Sequence, residues 1–244
     1  VIRRHQPDAD IVFWTYNWAN KPEEDRLALI DSLPTDISLM ATFEMFDHHW
    51  VDGLKIRPAD YTISFPGPSP YFISEAQRAK QRGIRLCTQA NSAGLTWDFG
   101  VIPYEPFPMQ WAKRYNAMLG AHDTYGLCGV MESHHFGYWP SFISELEKLM
   151  FTEPRMPADE AIRLLAEEYY GSTLAEAGMA AWQTLSEAIT YYPCCDEDQY
   201  GPFRIGPAYP LVFMRDVQIP TVPYAHFGGN RICFTNYGCD YLYA

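Results

Sequence analysis

No run of about 18 apolar residues occurs anywhere in this 244-residue sequence, and its N-terminus lacks the charged-then-apolar pattern of a signal peptide. Membrane-spanning helices and a secretory leader are therefore not expected in the chain as it stands, and the sequence reads as soluble, either cytoplasmic or of unknown compartment. Basic charge is also scarce. The 18 Lys and Arg stand against 30 Asp and Glu, for a formal net charge of −12, and no contiguous basic cluster exceeds a pair such as Arg3–Arg4. The footprint needed to hold a polyanion is missing, which argues against nucleic acid or an anionic membrane as partner. Glycine-rich phosphate loops and the G-x-S-x-G elbow are absent, so neither nucleotide nor serine-hydrolase chemistry is indicated. The six cysteines contain no C-x-x-C pair and are too sparse for a small disulfide scaffold. Cys87 and Cys128 each lie in an apolar, strand-like run and are expected to be buried. The vicinal Cys194–Cys195 fits two free thiols on a loop after a helix.

What is abundant is apolar and aromatic surface: 48% of residues are hydrophobic and 16% are Phe, Trp or Tyr, more flat amphipathic area than a core alone requires. Over residues 1–156 a unit repeats, in which a short run rich on both faces is followed by a loop and a helix-like segment. The runs are Asp10–Trp18, Ile37–Phe46, Ile84–Asn91 and Leu127–Glu132. Helical segments have start signals at Pro22, at Ser69-Pro70 before Phe72–Arg82, at Pro106–Leu119 and at Pro140–Met150. This alternation implies parallel βα units. Tyr61–Phe65 has strand propensity but no helix before it, so it reads as a hairpin partner or loop strand. The predicted fold class is thus α/β, a partial, half TIM-type (β/α) barrel of about four parallel βα units. Residues 157–244 form a C-terminal extension, helical over Ala158–Tyr170 and Leu174–Tyr192 and irregular beyond, packed on the barrel. Two free sheet edges predict a homodimer that covers them.

In such a sheet, function gathers at the C-terminal strand ends. The candidates there are Asn17 and Trp18, Glu44 with Asp47, His48 and His49, Asn91 with Trp97 and Asp98, and Glu132 with His134 and His135. Glu44 and Glu132 sit inside apolar runs, where a carboxylate needs either a buried partner or an opening to a cavity. Glycoside hydrolysis requires two carboxyls flanking the bond, and Glu44 with Glu132 is the preferred pair, Asp98 and Glu105 being reserves that also suit solvated loop acids. Trp18, Trp97, Tyr104 and Trp139 provide flat rings that can stack on a sugar. Asn17, His48, Asn91, His134 and His135 offer hydrogen bonds to its hydroxyls. Adjacent histidines seldom chelate one ion, and no H-E-x-x-H spacing is present, so no metal site is assigned.

The succession VFWTYNW, ISFPGPSPYF, QANSAGLTWDFG, IPYEPFPMQW and GVMESHHFGYWPS, with AWQTLSEAI and YGPFRIGPAYPL in the tail, resembles bacterial glycoside hydrolases related to the family 20 β-N-acetylhexosaminidases. The resemblance implies the C-terminal half of a barrel, exo-acting hydrolysis of a β-linked hexosaminide, glucoside or galactoside, and no cofactor. One departure accompanies it. The family carries an Asp-Glu pair after its fourth strand, and no such pair follows a strand here. Glu44 and Glu132 then carry the chemistry. Two other functions fit the same residues: a non-catalytic carbohydrate-binding fragment and a metal-dependent barrel hydrolase.

Overall fold

The computed structural model describes residues 1–16, 18, 21–45, 49–51, 53–56, 62–90, 92, 96, 104–132, 141–191, 224–226 and 229–231. In chain order the elements are α1 (Ile2–His5), β1 (Val12–Trp14), α2 (Glu23–Ser32), β2 (Ser38–Thr42), β3 (His49–Val51), β4 (Leu54–Ile56), α3 (Pro70–Arg82) and β5 (Arg85–Gln89). There follow α4 (Pro108–Tyr125), β6 (Leu127–Met131), α5 (Phe142–Phe151), α6 (Ala158–Tyr170), α7 (Ala175–Ala188) with a 3₁₀ turn at Ile189–Tyr191, and the short pair β7 (Tyr224–His226) and β8 (Gly229–Arg231). No helix among the described residues is long and apolar enough to cross a membrane.

The fold is α/β, organised on a four-stranded, wholly parallel sheet in the order β1-β2-β5-β6, which is also the chain order. All four expected strands are present, each shorter than its apolar run. Leu39, Leu86 and Leu127 fall in one row across β2, β5 and β6, and together with Ala41 they join Ile30, Phe72, Trp111, Tyr115 and Met118 from the helices in one core. The helices pack in sequence, α2 on α3, α3 on α4 and α4 on α5, after which α6 and α7 continue the layer and α7 returns to α4. Trp182 of α7 stacks on Phe142 of α5 with ring centroids 4.9 Å apart.

Local chemistry sets the helix ends. Ser69 Oγ accepts from the Phe72 amide at 3.2 Å, with Pro70 in the first turn, the arrangement favoured where amides lack intrahelical partners. Gly83 and Gly126 close α3 and α4 in the left-handed region, at φ 69° and 77°. A buried latch joins α2 and α3 to the residue that follows β1: Arg26 of α2 pairs with Glu75 of α3 at 2.5 Å, Thr15 Oγ1 donates to Glu75 at 2.7 Å, and the guanidinium lies 4.0 Å from the Tyr71 ring centroid. Burial nonetheless holds the Glu75 carboxyl above its ordinary range, against the lowering effect of Thr15 and Arg26.

Two expectations are corrected. The described part of Tyr61–Phe65, residues 62–65, forms no strand, and the hairpin lies upstream in β3 and β4. The physical reason is on α4: Arg114 donates to the carbonyls of Thr62, Phe65 and Pro66, while Gln110 Nε2 donates to those of Ile63 and Ser64, at 3.2 and 3.5 Å. Side chains take the acceptors a ladder would need. Cys128 is exposed and Cys87 only half-buried, because among the described residues β6 is a sheet edge and its pairing slips beside Cys87. Cys194–Cys195 lies outside the described residues.

The same loop requires Gly67. Its φ is +78°, and a Cβ there would stand 2.7 Å from Phe43 Cδ1 and 3.1 Å from the Phe43 carbonyl oxygen. Gly67→Ala is expected to lower the unfolding free energy by about 1–3 kcal/mol in urea denaturation. An unchanged midpoint would contradict this packing.

Candidate functional site

The two strand-end glutamates have opposite surroundings. Glu44, just beyond β2, is 1% exposed, and its Oε1 lies 3.8 Å from Nη1 of Arg114, itself fully buried. The remaining guanidinium nitrogens of Arg114 are spent on the loop carbonyls, and its Cζ stands 5.1 Å from the Trp111 ring centroid. A guanidinium cannot shed its proton at any ordinary pH, so when buried it needs an anion, and Glu44 supplies it. Glu105 is also buried rather than solvated. It accepts from the Thr96 amide, from Thr96 Oγ1 at 2.5 Å and from Trp111 Nε1 at 3.2 Å, which staples its loop to α4.

Glu132, directly after β6, is half-buried and opens onto a cavity of about 450 Å³ along that strand. The walls come from α4 (Met118, His122), from β6 and from α5 (Glu147, Phe151), with Arg155 at one side. Glu147 is buried, and burial pushes its carboxyl up to about 7; the Ser92 hydroxyl opposes this and the negative charge of Glu132 adds to it. Tyr115 lies in the same cluster. It is fully buried, its hydroxyl donates to the Ile143 carbonyl at 3.4 Å, and burial, followed by the charge of Glu147, holds it well above its usual value.

Several buried polar atoms lack a hydrogen-bond partner among the described residues, Arg114 Nη1 and three groups near the ends of β5 and β6 included. Ser92 Oγ is close enough to Glu147 to influence its proton, yet among the described residues neither Ser92 Oγ nor Glu147 Oε2 has a partner in hydrogen-bond geometry. Both amide atoms of Gln89, the last residue of β5 and 1% exposed, also lack one. Buried polar groups are normally paired, and of these exceptions Glu147 is the one that lines the cavity.

Of the residues the sequence singled out, the structure places Glu132 at this cavity and Glu44 in the buried ion pair. Trp18 and Tyr104 are 36% and 58% exposed. Asn17, His48, Asn91, Trp97, Asp98, His134, His135 and Trp139 lie outside the described residues. Among the described residues no three His, Cys, Asp or Glu side chains are grouped to hold a metal ion. Sequence reasoning missed Glu147. The available signal was its position on the buried stripe of α5, level with Ile143, Leu146 and Met150, where a carboxylate is out of place. Comparison with known proteins finds no family model, no curated protein and no solved structure that matches the chain.

The Glu147 proton is linked to stability. Unfolded, the group titrates at its ordinary 4.5, so between 4.5 and about 7 the folded chain holds a proton that the unfolded chain has released. Its contribution is complete below 4.5 and is lost as pH rises through 7, a fall on the order of 3 kcal/mol. Urea denaturation at pH 5 and pH 8 checks this: the wild type should weaken markedly toward pH 8, and Glu147→Gln should flatten the difference. Equal pH dependence in the two proteins would refute the assignment.

Proposed function

We propose that this chain is a glycoside hydrolase, the C-terminal half of a TIM-type (β/α) barrel, which cleaves β-linked sugars with Glu147 as proton donor and Glu132 as the opposing carboxylate. The observation that carries the reading is the pair itself: two carboxyls on one cavity, one of which keeps its proton near neutrality because it is buried beside the charge of the other. That division into acid and anion is what glycosidic cleavage requires. A cavity of about 450 Å³ falls within the ~300–1,000 Å³ range of small-molecule sites. The barrel reading draws support from the strand order, since a parallel sheet laid down in chain order is how a barrel grows, whereas doubly wound sheets reverse direction at a switch point.

In this mechanism the Glu147 carboxyl gives its proton to the departing glycosidic oxygen as the bond to the anomeric carbon breaks. Glu132 stabilises the positive charge that develops on the ring, and water completes the hydrolysis. Glu44 is assigned to the fold, as counter-ion to Arg114, in place of the catalytic role that the spacing of acids suggested. A non-catalytic sugar-binding role remains the rival from another class.

Assays on nitrophenyl β-glycosides and on the matching disaccharides separate these. Glu132→Gln should lower kcat on both by at least ~10²-fold. Glu147→Gln should lower it by a similar factor on disaccharides and far less on nitrophenyl substrates, because nitrophenolate departs without a proton. Glu44→Gln should reduce the folded fraction and leave activity per folded molecule intact. Full turnover in both Glu132→Gln and Glu147→Gln would overturn the site, and sugar binding by the wild type with no turnover would establish the rival.

A further inference from the structure

β5 and β6 are joined by a ladder that slips: Leu86 faces Leu127 but Cys87 faces Gly129, which leaves Cys128 as an extra residue on the edge strand. Slips of this kind re-aim side chains. Here Cys128 Sγ donates to the Leu86 carbonyl at 3.2 Å, and the Cys87 and Cys128 thiols are close enough to influence each other's proton. Gly129 completes the arrangement, for a Cβ at that position would lie only 3.1 Å from Cys87 Sγ. The bare backbone there leaves room for the Cys87 sulfur to lean across onto β6. Neighbouring strands run about 4.8 Å apart, a spacing from which cysteines on adjacent strands can meet the ~4.4–6.8 Å Cα separation of a disulfide. Both thiols are free, Cys87 is half-buried, and Cys128 is exposed and borders the cavity that contains Glu132 and Glu147.

From this placement we infer that Cys87 and Cys128 are a site of reversible oxidation, closing to a disulfide between β5 and β6 by exchange with a low-molecular-weight disulfide. The exposed Cys128 thiolate attacks one sulfur of that disulfide, forming a mixed disulfide and expelling one small thiol. Cys87 then attacks the Cys128 sulfur and expels the second. Two protein thiols are oxidised, one small disulfide is reduced to two thiols, and the two protons pass to those products. The second step is the slow one at neutral pH. Burial, with the Cys128 and Asp10 charges raising and Arg85 lowering, holds the Cys87 thiol up at about 11. The bond ties an edge strand to its neighbour immediately before the chain reaches Glu132.

Incubating the folded chain with oxidised glutathione, alkylating the remaining thiols and mapping proteolytic peptides by mass spectrometry tests the inference independently of any hydrolase activity. The peptides carrying Cys87 and Cys128 should appear predominantly as one linked pair, lighter by two hydrogens than their sum and released by reductant. Cys128→Ser should leave Cys87 as a free thiol. Cys128 held only as the glutathione adduct beside an unmodified Cys87, or Cys87 joined to any other cysteine, would overturn it.

Discussion

A buried guanidinium must be given an anion and several acceptors, and meeting that demand at Arg114 organises much of this molecule. The anion comes from Glu44 at the end of β2, and the acceptors are the carbonyls of Thr62, Phe65 and Pro66. One side chain on α4 thereby fixes a strand end and a loop that share no ladder with each other. Breaking such an arrangement from one side leaves an uncompensated buried charge, typically at a cost of about 3–5 kcal/mol. The next residue, Tyr115, carries the constraint onward: its hydroxyl reaches the Ile143 carbonyl of α5, the helix that presents Glu147 to the cavity beside β6.

Glu44 and Glu147 show how a fold gives one residue type two uses. Both are buried at the strand ends or just behind them, and burial alone would favour the protonated form of each. Glu44 has within 4 Å a cation that cannot be neutralised, so it serves as that cation's counter-ion in the framework. Glu147 is in no salt bridge among the described residues, and burial, with the charge of Glu132 on the same cavity adding to it, keeps its proton in place. A held proton on an open cavity is chemically available, whereas a carboxyl tied to a buried guanidinium is not.

The sequence made the regular elements legible because their signals are local. Alternating apolar runs and Ser/Pro helix starts located all four sheet strands and every long helix, and the bounds Ala158–Tyr170 agree with the structure residue for residue. Features that depend on distant partners were not legible. The strand propensity of residues 62–65 was overridden by donors on α4, far along the chain. Glu44 and Glu132 look alike in sequence, each an acid at the end of an apolar run, and only the position of Arg114 separates them. Glu147 resembles an ordinary acid of an amphipathic helix until α5 is docked and its stripe is known to face inward.

The account turns on Glu132 and Glu147 sharing one site, and a carbon-13 titration of glutamate carboxyls, with Glu147 identified by its loss in Glu147→Gln, addresses that most directly. The expected midpoint for Glu147 is near 7, moving down in Glu132→Gln while staying above the ordinary carboxylate range, because burial is the larger cause. A Glu147 midpoint near 4.5 that ignores the Glu132 substitution would contradict the shared site.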